Sequence, residues 1–189
     1  MRRIIEQLEH YVPCCEQEAR DRQAMLAFLR RSPDALERSN LTAHLTASAW
    51  TVNAGRTQVL MAYHNIFRSW AWLGGHADGD PDLLAVALRE VHEESGVTHV
   101  APVSRDLFSI EVLTVDGHIK HGQYVPSHLH LNVTYLLEAD TGDTLTAKPD
   151  ENSGVRWFPI GEAAAASNEP WFREHIYGKL NAKLRAAGK

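Results

Sequence analysis

Apolar residues change their spacing several times along the chain. Ile4, Ile5, Leu8 and Tyr11 recur at intervals of three or four, Pro13 interrupts, and Ala24, Met25, Phe28 and Leu29 repeat the pattern before Ser32-Pro33. This predicts two helices within residues 1–40, outside the main sheet. A cap on the core is favoured over a dimerisation arm, although periodicity does not say what the apolar stripe meets. From His44 the alternation becomes strand-like. HLTASAWTV and TQVLMAYH flank Asn53-Ala54-Gly55-Arg56, which predicts a hairpin. The aromatic WAWLGG then leads into a glycine-rich loop beginning at Gly74.

Helical spacing returns after that loop. Leu84, Ala87, Leu88 and Val91 make one core stripe, with Asp80 as the expected N-cap, Pro81 as the first helical residue and Gly96 as a left-handed C-terminal cap. Strand patterns resume in LFSIEVLTV, HLHLNVTYLLEA and VRWFPI, separated by the polar turns DGHIKHG and DTGDTLTAKPDENSG. A short helix in IGEAAAAS and a last helix from Pro170 complete the chain. Strands on both sides of one central helix, with another helix at the end, predict an α/β sandwich.

Composition narrows the function classes. The chain has 189 residues, 44% hydrophobic and 23% charged, enough for one well-filled core but not two large domains. A formal net charge of −5 argues against general nucleic-acid binding, which relies on clustered Lys and Arg. Cys14 and Cys15 are adjacent, so they do not build a secretory disulfide framework. The amino terminus lacks an apolar signal core and no segment is apolar enough to span a bilayer, so the expected location is cytoplasmic.

The central helix carries the candidate chemistry. Glu90, Glu93 and Glu94 lie three or four residues apart, which places their carboxylates together on one face. Like charges there are unfavourable unless a cation lies between them, and carboxylate oxygens suit Mg²⁺ or Mn²⁺. From spacing alone, a solvated acidic face accounts for the glutamates equally well.

The longer pattern decides between these readings. Gly75, thirteen intervening residues, and REVHEESGV at Arg89 to Val97 resemble the Nudix box, with eight of its nine specified positions matched. The misfit is Pro81, where the family usually has Glu. The resemblance implies a Nudix-type α/β/α sandwich with a mixed sheet at residues 41–189, and an N-terminal helical extension at 1–40. It also implies Mg²⁺ (or Mn²⁺) held by Glu90, Glu93 and Glu94 together with Gly75. The reaction implied is water attack on the diphosphate linkage of a nucleoside diphosphate joined to another moiety. Glu93, Glu94 and Arg89 are then catalytic candidates. Glu151 is the loop candidate for the base, with Asp150 as its rival. In this family the missing Glu steadies the box Arg, so Asp78, Asp80 or Asp82 is expected to partner Arg89.

Histidines are the other unusual feature. His118, His121, His128 and His130 fall in one region, and His128 and His130 share one strand face. Gly74, Gly75, His76, His128 and His130 are the substrate-contact candidates. Zinc is disfavoured because a structural site needs a closed set of nitrogen or sulfur donors and no cysteine accompanies these residues. Trp50, Trp70, Trp72 and Trp157 are read mostly as core. Two alternatives stay open: a Nudix-fold isopentenyl-diphosphate isomerase, whose core cysteine is missing here because both cysteines lie in the amino-terminal helices, and a non-catalytic regulatory nucleotide-binding domain, which usually lacks box glutamates. The expected partner is a small diphosphate, with no membrane; a homodimer is left open.

Overall fold

The computed structural model describes residues 1–120 and 122–187. Among these, eight strands form one mixed sheet around β1 (Ala43–Val52) and β9 (His128–Ala139), which run parallel in register from Ala43↔Leu129 to Val52↔Glu138. β2 (Gln58–His64) returns from β1 as a hairpin, and the Asn53 side chain holds the turn by accepting the Thr57 and Gln58 N–H groups. β3 (Ser69–Ala71) pairs with β2, and β4 (Leu73–His76) pairs antiparallel with β1. β5 (Val100–Pro102) and β6 (Ser109–Val115) both pair with β9, and β10 (Asn152–Pro159) closes the other edge against β2. DGHIKHG is more than a turn: β7 (His118–Lys120) and β8 (Gln123–Val125) form a separate two-stranded ribbon there.

Alternation along β1 divides the core between the sheet's faces. Ala43, Leu45, Ala47 and Ala49 join one cluster, and Trp50 and Val52 the other. The first cluster holds α3 (Leu83–Ser95) through Leu84, Val86, Ala87 and Val91. It also takes Ile4 and Leu8 from α1 (Arg2–His10) and Met25 and Leu29 from α2 (Glu16–Leu29), so the amino-terminal stripe is buried on the chain's own core. Burying four such side chains contributes about 1.5–3 kcal/mol each relative to exposure. Cys14 and Cys15 lie between these helices rather than inside them, exposed and unpaired. On the opposite face, α4 (Ala163–Ala166), a π-helical stretch at Phe172–Tyr177 and α5 (Gly178–Ala187) cover Trp50, Met61 and Phe158. No described helix is long and apolar enough to cross a membrane.

The structure corrects two local expectations. Gly74 and Gly75 belong to β4 rather than to a loop, because their backbone pairs with Ser48 and Ala47. The central helix begins at Leu83 with Asp82 as its N-cap, which accepts the Ala85 N–H at 3.3 Å. Asp80 and Pro81 fit the helix-start pattern, but Asp80 Oδ1 accepts the N–H of Asp82 at 2.9 Å and holds a turn ahead of the helix. Gly96, at φ 74°, ends the helix in the expected left-handed conformation.

Candidate active site

The carboxylates of α3 meet the glycine pair of β4. Glu94, only 6% exposed, accepts the Gly74 N–H at 2.9 Å. Burial pushes its carboxyl up to about 8, opposed by that hydrogen bond and reinforced by Glu90 and Glu151. Glu90 lies against Gly75 so closely that a Cβ there would stand 2.5 Å from Glu90 Cδ, so the approach needs glycine. Burial, then the neighbouring Glu93, raises the Glu90 pKa. Carboxylates gathered on one helix flank, with Glu94 buried, Glu90 half-buried and Glu93 exposed, are an arrangement a divalent cation stabilises, and the Gly75 backbone lies beside Glu90.

Cations on the protein border this cluster. Lys148 Nζ lies 3.0 Å from Glu151 and 3.3 Å from Glu93, so it links the loop acid to the helix. Burial would lower the Lys148 pKa, but these two carboxylates raise it above its ordinary value. Asn152 fixes the loop: its side chain accepts the Lys148 N–H and donates to the Glu94 carbonyl. Asp150, the rival base, is exposed. Of the three acids expected beside Arg89, Asp80 faces it, at 3.5 Å, with Glu90 and Glu93 at 3.6 and 3.9 Å. Asp78 instead takes a two-pronged ion pair from Arg38, and Asp82 pairs with Arg3 at 3.0 Å. The box loop is therefore held from the amino-terminal segment. Lys148 and Arg38 escaped the sequence reading; the only hint of Lys148 was a lone cation among acids in KPDENSG.

On the other face of β4 lies a second cluster. His128 and His130 come together as their shared strand face suggested, joined by His76 of β4 and His44 of β1, whereas the His118 ring bonds the Asp116 carbonyl. His121 falls outside the described residues. One ring nitrogen from each of His44, His76, His128 and His130 lies within 4.8 Å of all the others. Burial, helped by the neighbouring Arg38 and His44, pulls His76 down to about 3; burial and the other three rings pull His130 down to about 2. His44 is lowered too, mainly by burial. The alternation of HLTASAW carried a signal for His44, since it shares a face with Thr46 and Ser48, but cross-strand pairing was needed to use it. Trp50 is fully buried and stacks on Tyr177 at 5.6 Å, a core role, and Trp72 packs edge-on against the same ring.

A mixed, curled sheet between helices, with an acidic helix closed on a glycine pair, defines the Nudix type of α/β/α sandwich. The NUDIX domain model matches residues 42–179, and the chain belongs to the Nudix hydrolase superfamily. Among solved structures, a NUDIX-family hydrolase from Clostridium perfringens superimposes with a TM-score of 0.54 at 19% identity, over 76% of this chain and 97% of that one. An Ap4A hydrolase from C. elegans aligns at TM-score 0.49 and 18% identity, over 77% and 98%. At 19% identity the likeness to the Clostridium perfringens hydrolase concerns the fold. No curated protein sequence matches.

Proposed function

We propose that this protein is a Mg²⁺-dependent hydrolase that cleaves the diphosphate linkage of a nucleoside diphosphate joined to another moiety. The observation that carries this reading is the closure of Glu90 and Glu94 on Gly75 and Gly74, with Glu93 beside them. The donor set fits a hard divalent cation: Glu90, Glu93 and Glu94 with the Gly75 carbonyl would hold it. When bound, the ion offsets charge on diphosphate oxygens and makes a coordinated water more acidic. Glu151, held at the cluster by Lys148, would accept the proton of the attacking water, while the P–O bond to the leaving phosphate breaks. Lys148 and Arg38 lie at the edge of the acids, where substrate phosphates would approach. His76, His128 and His130 face away from this cluster across β4, which argues against the phosphate-contact role that their sequence positions suggested.

The two alternatives gain no support from the site. Cys14 and Cys15 are exposed between α1 and α2, so the isomerase reading lacks a core thiol. All three box glutamates are gathered, which opposes a regulatory domain that has lost hydrolysis. The test is Mg²⁺-dependent product release, followed by ion-exchange chromatography, across ADP-ribose, NADH, dinucleoside polyphosphates, nucleoside triphosphates and isopentenyl diphosphate. Two phosphorylated fragments from at least one nucleotide support the proposal. Isomerised isopentenyl diphosphate alone, or nucleotide binding without turnover, overturns it.

A further inference from the structure

We infer that His44, His76, His128 and His130 form a four-imidazole site for one Zn²⁺-class transition-metal ion, separate from the carboxylate site. Three strands build it: His44 comes from β1, His76 from β4, and His128 and His130 from β9. Register puts His44 directly opposite His130, and His76 opposite Thr46 two residues along the same face. Gly75, with the opposite pleat, faces Glu90 on the helix side.

The four ring nitrogens, all within 4.8 Å of one another, can reach a single metal ion with small side-chain adjustments. His128 Nε2 and His130 Nε2 are 3.2 Å apart, close to the roughly 3.3–3.4 Å edge of a tetrahedron with Zn–N bonds of about 2.0–2.1 Å. Two outer nitrogens are already committed. His44 Nδ1 bonds the Asn40 carbonyl at 3.0 Å, and His128 Nδ1 bonds the Pro126 carbonyl at 2.8 Å. Such carbonyl contacts fix the tautomer and leave Nε2 with its lone pair, as is usual behind metal-bound histidine. His44 Nε2 is buried and has no hydrogen-bond partner, which leaves a ligand-ready nitrogen on a ring whose centroid lies 5.0, 4.8 and 5.1 Å from those of His76, His128 and His130. Four neutral imidazoles suit zinc-like ions and disfavour Mg²⁺, which prefers oxygen donors. With four protein donors the centre would be closed, hence structural: it would fasten β4 to β1 and β9 one residue from Gly75.

The test uses the full chain with Co²⁺ as a spectroscopic stand-in, in excess Mg²⁺. The expected result is one Co²⁺ per chain with the intense visible bands of tetrahedral coordination, displaced by one equivalent of Zn²⁺. The bands should survive Glu90→Gln/Glu94→Gln and be lost in His44→Gln/His130→Gln, with circular dichroism confirming the fold. If the histidine variant does not fold, X-ray absorption on the Zn²⁺-loaded native chain decides: a shell of four imidazole nitrogens supports the site, and an oxygen shell overturns it. Absence of visible bands, or bands that vanish with the glutamates, also overturns it. This outcome is independent of nucleotide turnover, so the hydrolase proposal and the histidine site stand or fall separately.

Discussion

Arg89 and Asp80 face each other across the turn that leads into α3, Nη1 to Oδ2 at 3.5 Å, beside the Pro81 that takes the place of the family's usual glutamate. Both side chains are more than one-third exposed, at 41% and 36%, so the pair acts as a surface ion pair. Asp80→Asn keeps an acceptor for the Asp82 N–H while removing the charge. Thermal denaturation should show a stability change within about 1 kcal/mol. Turnover should fall roughly ten-fold as Arg89 loses its outer anchor, and adding Pro81→Glu should recover it. Unchanged turnover in Asp80→Asn would mean that Glu90 and Glu93 suffice to position Arg89.

Gly74 and Gly75 are adjacent, but their substitutions should fail differently. A Cβ at Gly74 would stand 2.6 Å from the Ala47 carbonyl oxygen and Ser48 Cα, backbone that cannot yield. Gly74→Ala should therefore cost about 1–3 kcal/mol by denaturant titration. A Cβ at Gly75 meets only the carboxyl end of Glu90. Gly75→Ala should melt close to the native protein while losing Mg²⁺ affinity and turnover.

Glu93→Gln and Glu94→Gln should each lower turnover by about two orders of magnitude or more while circular dichroism stays native. Glu151→Gln should lower turnover with less effect on the Mg²⁺ concentration needed for half-maximal rate, because its assigned role is proton acceptance. Near-normal rates in both Glu93→Gln and Glu94→Gln would refute the proposed metal site.

Glu18 supplies a pH test far from that site. It is fully buried, accepts from Lys183 at 2.8 Å and from the Cys14 N–H at 2.8 Å, and lies 3.5 Å from Lys179. Burial alone would raise its pKa, but Lys183, the Cys14 N–H and Lys179 bring it down from 4.5 to about 2. A carboxyl depressed on folding stabilises the fold above its unfolded value, and that stability is lost as pH falls through the folded one. Urea midpoints should therefore show a decline between pH 4.5 and about 2 that is absent in Glu18→Gln. At neutral pH the variant should be less stable by about 3–5 kcal/mol, since the largely buried Lys183 loses its carboxylate partner and keeps only the Tyr11 hydroxyl, while Lys179 retains Glu111 at 3.0 Å.

Leu8 tests whether the amino-terminal helices belong to the core. It is fully buried in the same cluster as Val91 and Val133. Leu8→Ala should cost about 2–5 kcal/mol in a single cooperative unfolding transition. A separate early transition for α1 and α2 would show instead that these helices form a detachable arm.

Much of this arrangement was readable in the sequence where periodicity was long or a register was fixed. β1, β9 and α3 alternate or repeat cleanly, and the three glutamates fall on one helix face whatever the helix meets. Asp80 and Pro81 misled because capping rules score residue type, whereas the Asp80 side chain is committed to the Asp82 N–H. Gly74 and Gly75 read as loop because glycine signals turns; here Gly74 lets β4 lie close against the β1 backbone and Gly75 leaves room for the Glu90 carboxylate. The contacts of Lys148 with Glu93, and of His44 with His128, join residues far apart in sequence. Only the sheet's connectivity brings them together.

The parallel pairing of β1 with β9 sets an order on assembly during synthesis. Thr46 and Asn132, joined at 3.0 Å across those strands, are 86 residues apart in the chain. The β1–β2 hairpin and the β4 pairing close over short loops and can form as soon as they leave the ribosome, whereas β1 must keep its other edge unpaired until β9 has been made. Closing that long loop is entropically costly before its contacts form, so the β1–β9 seam should be the slow step of folding. The nascent chain is most exposed to edge-to-edge association during that interval.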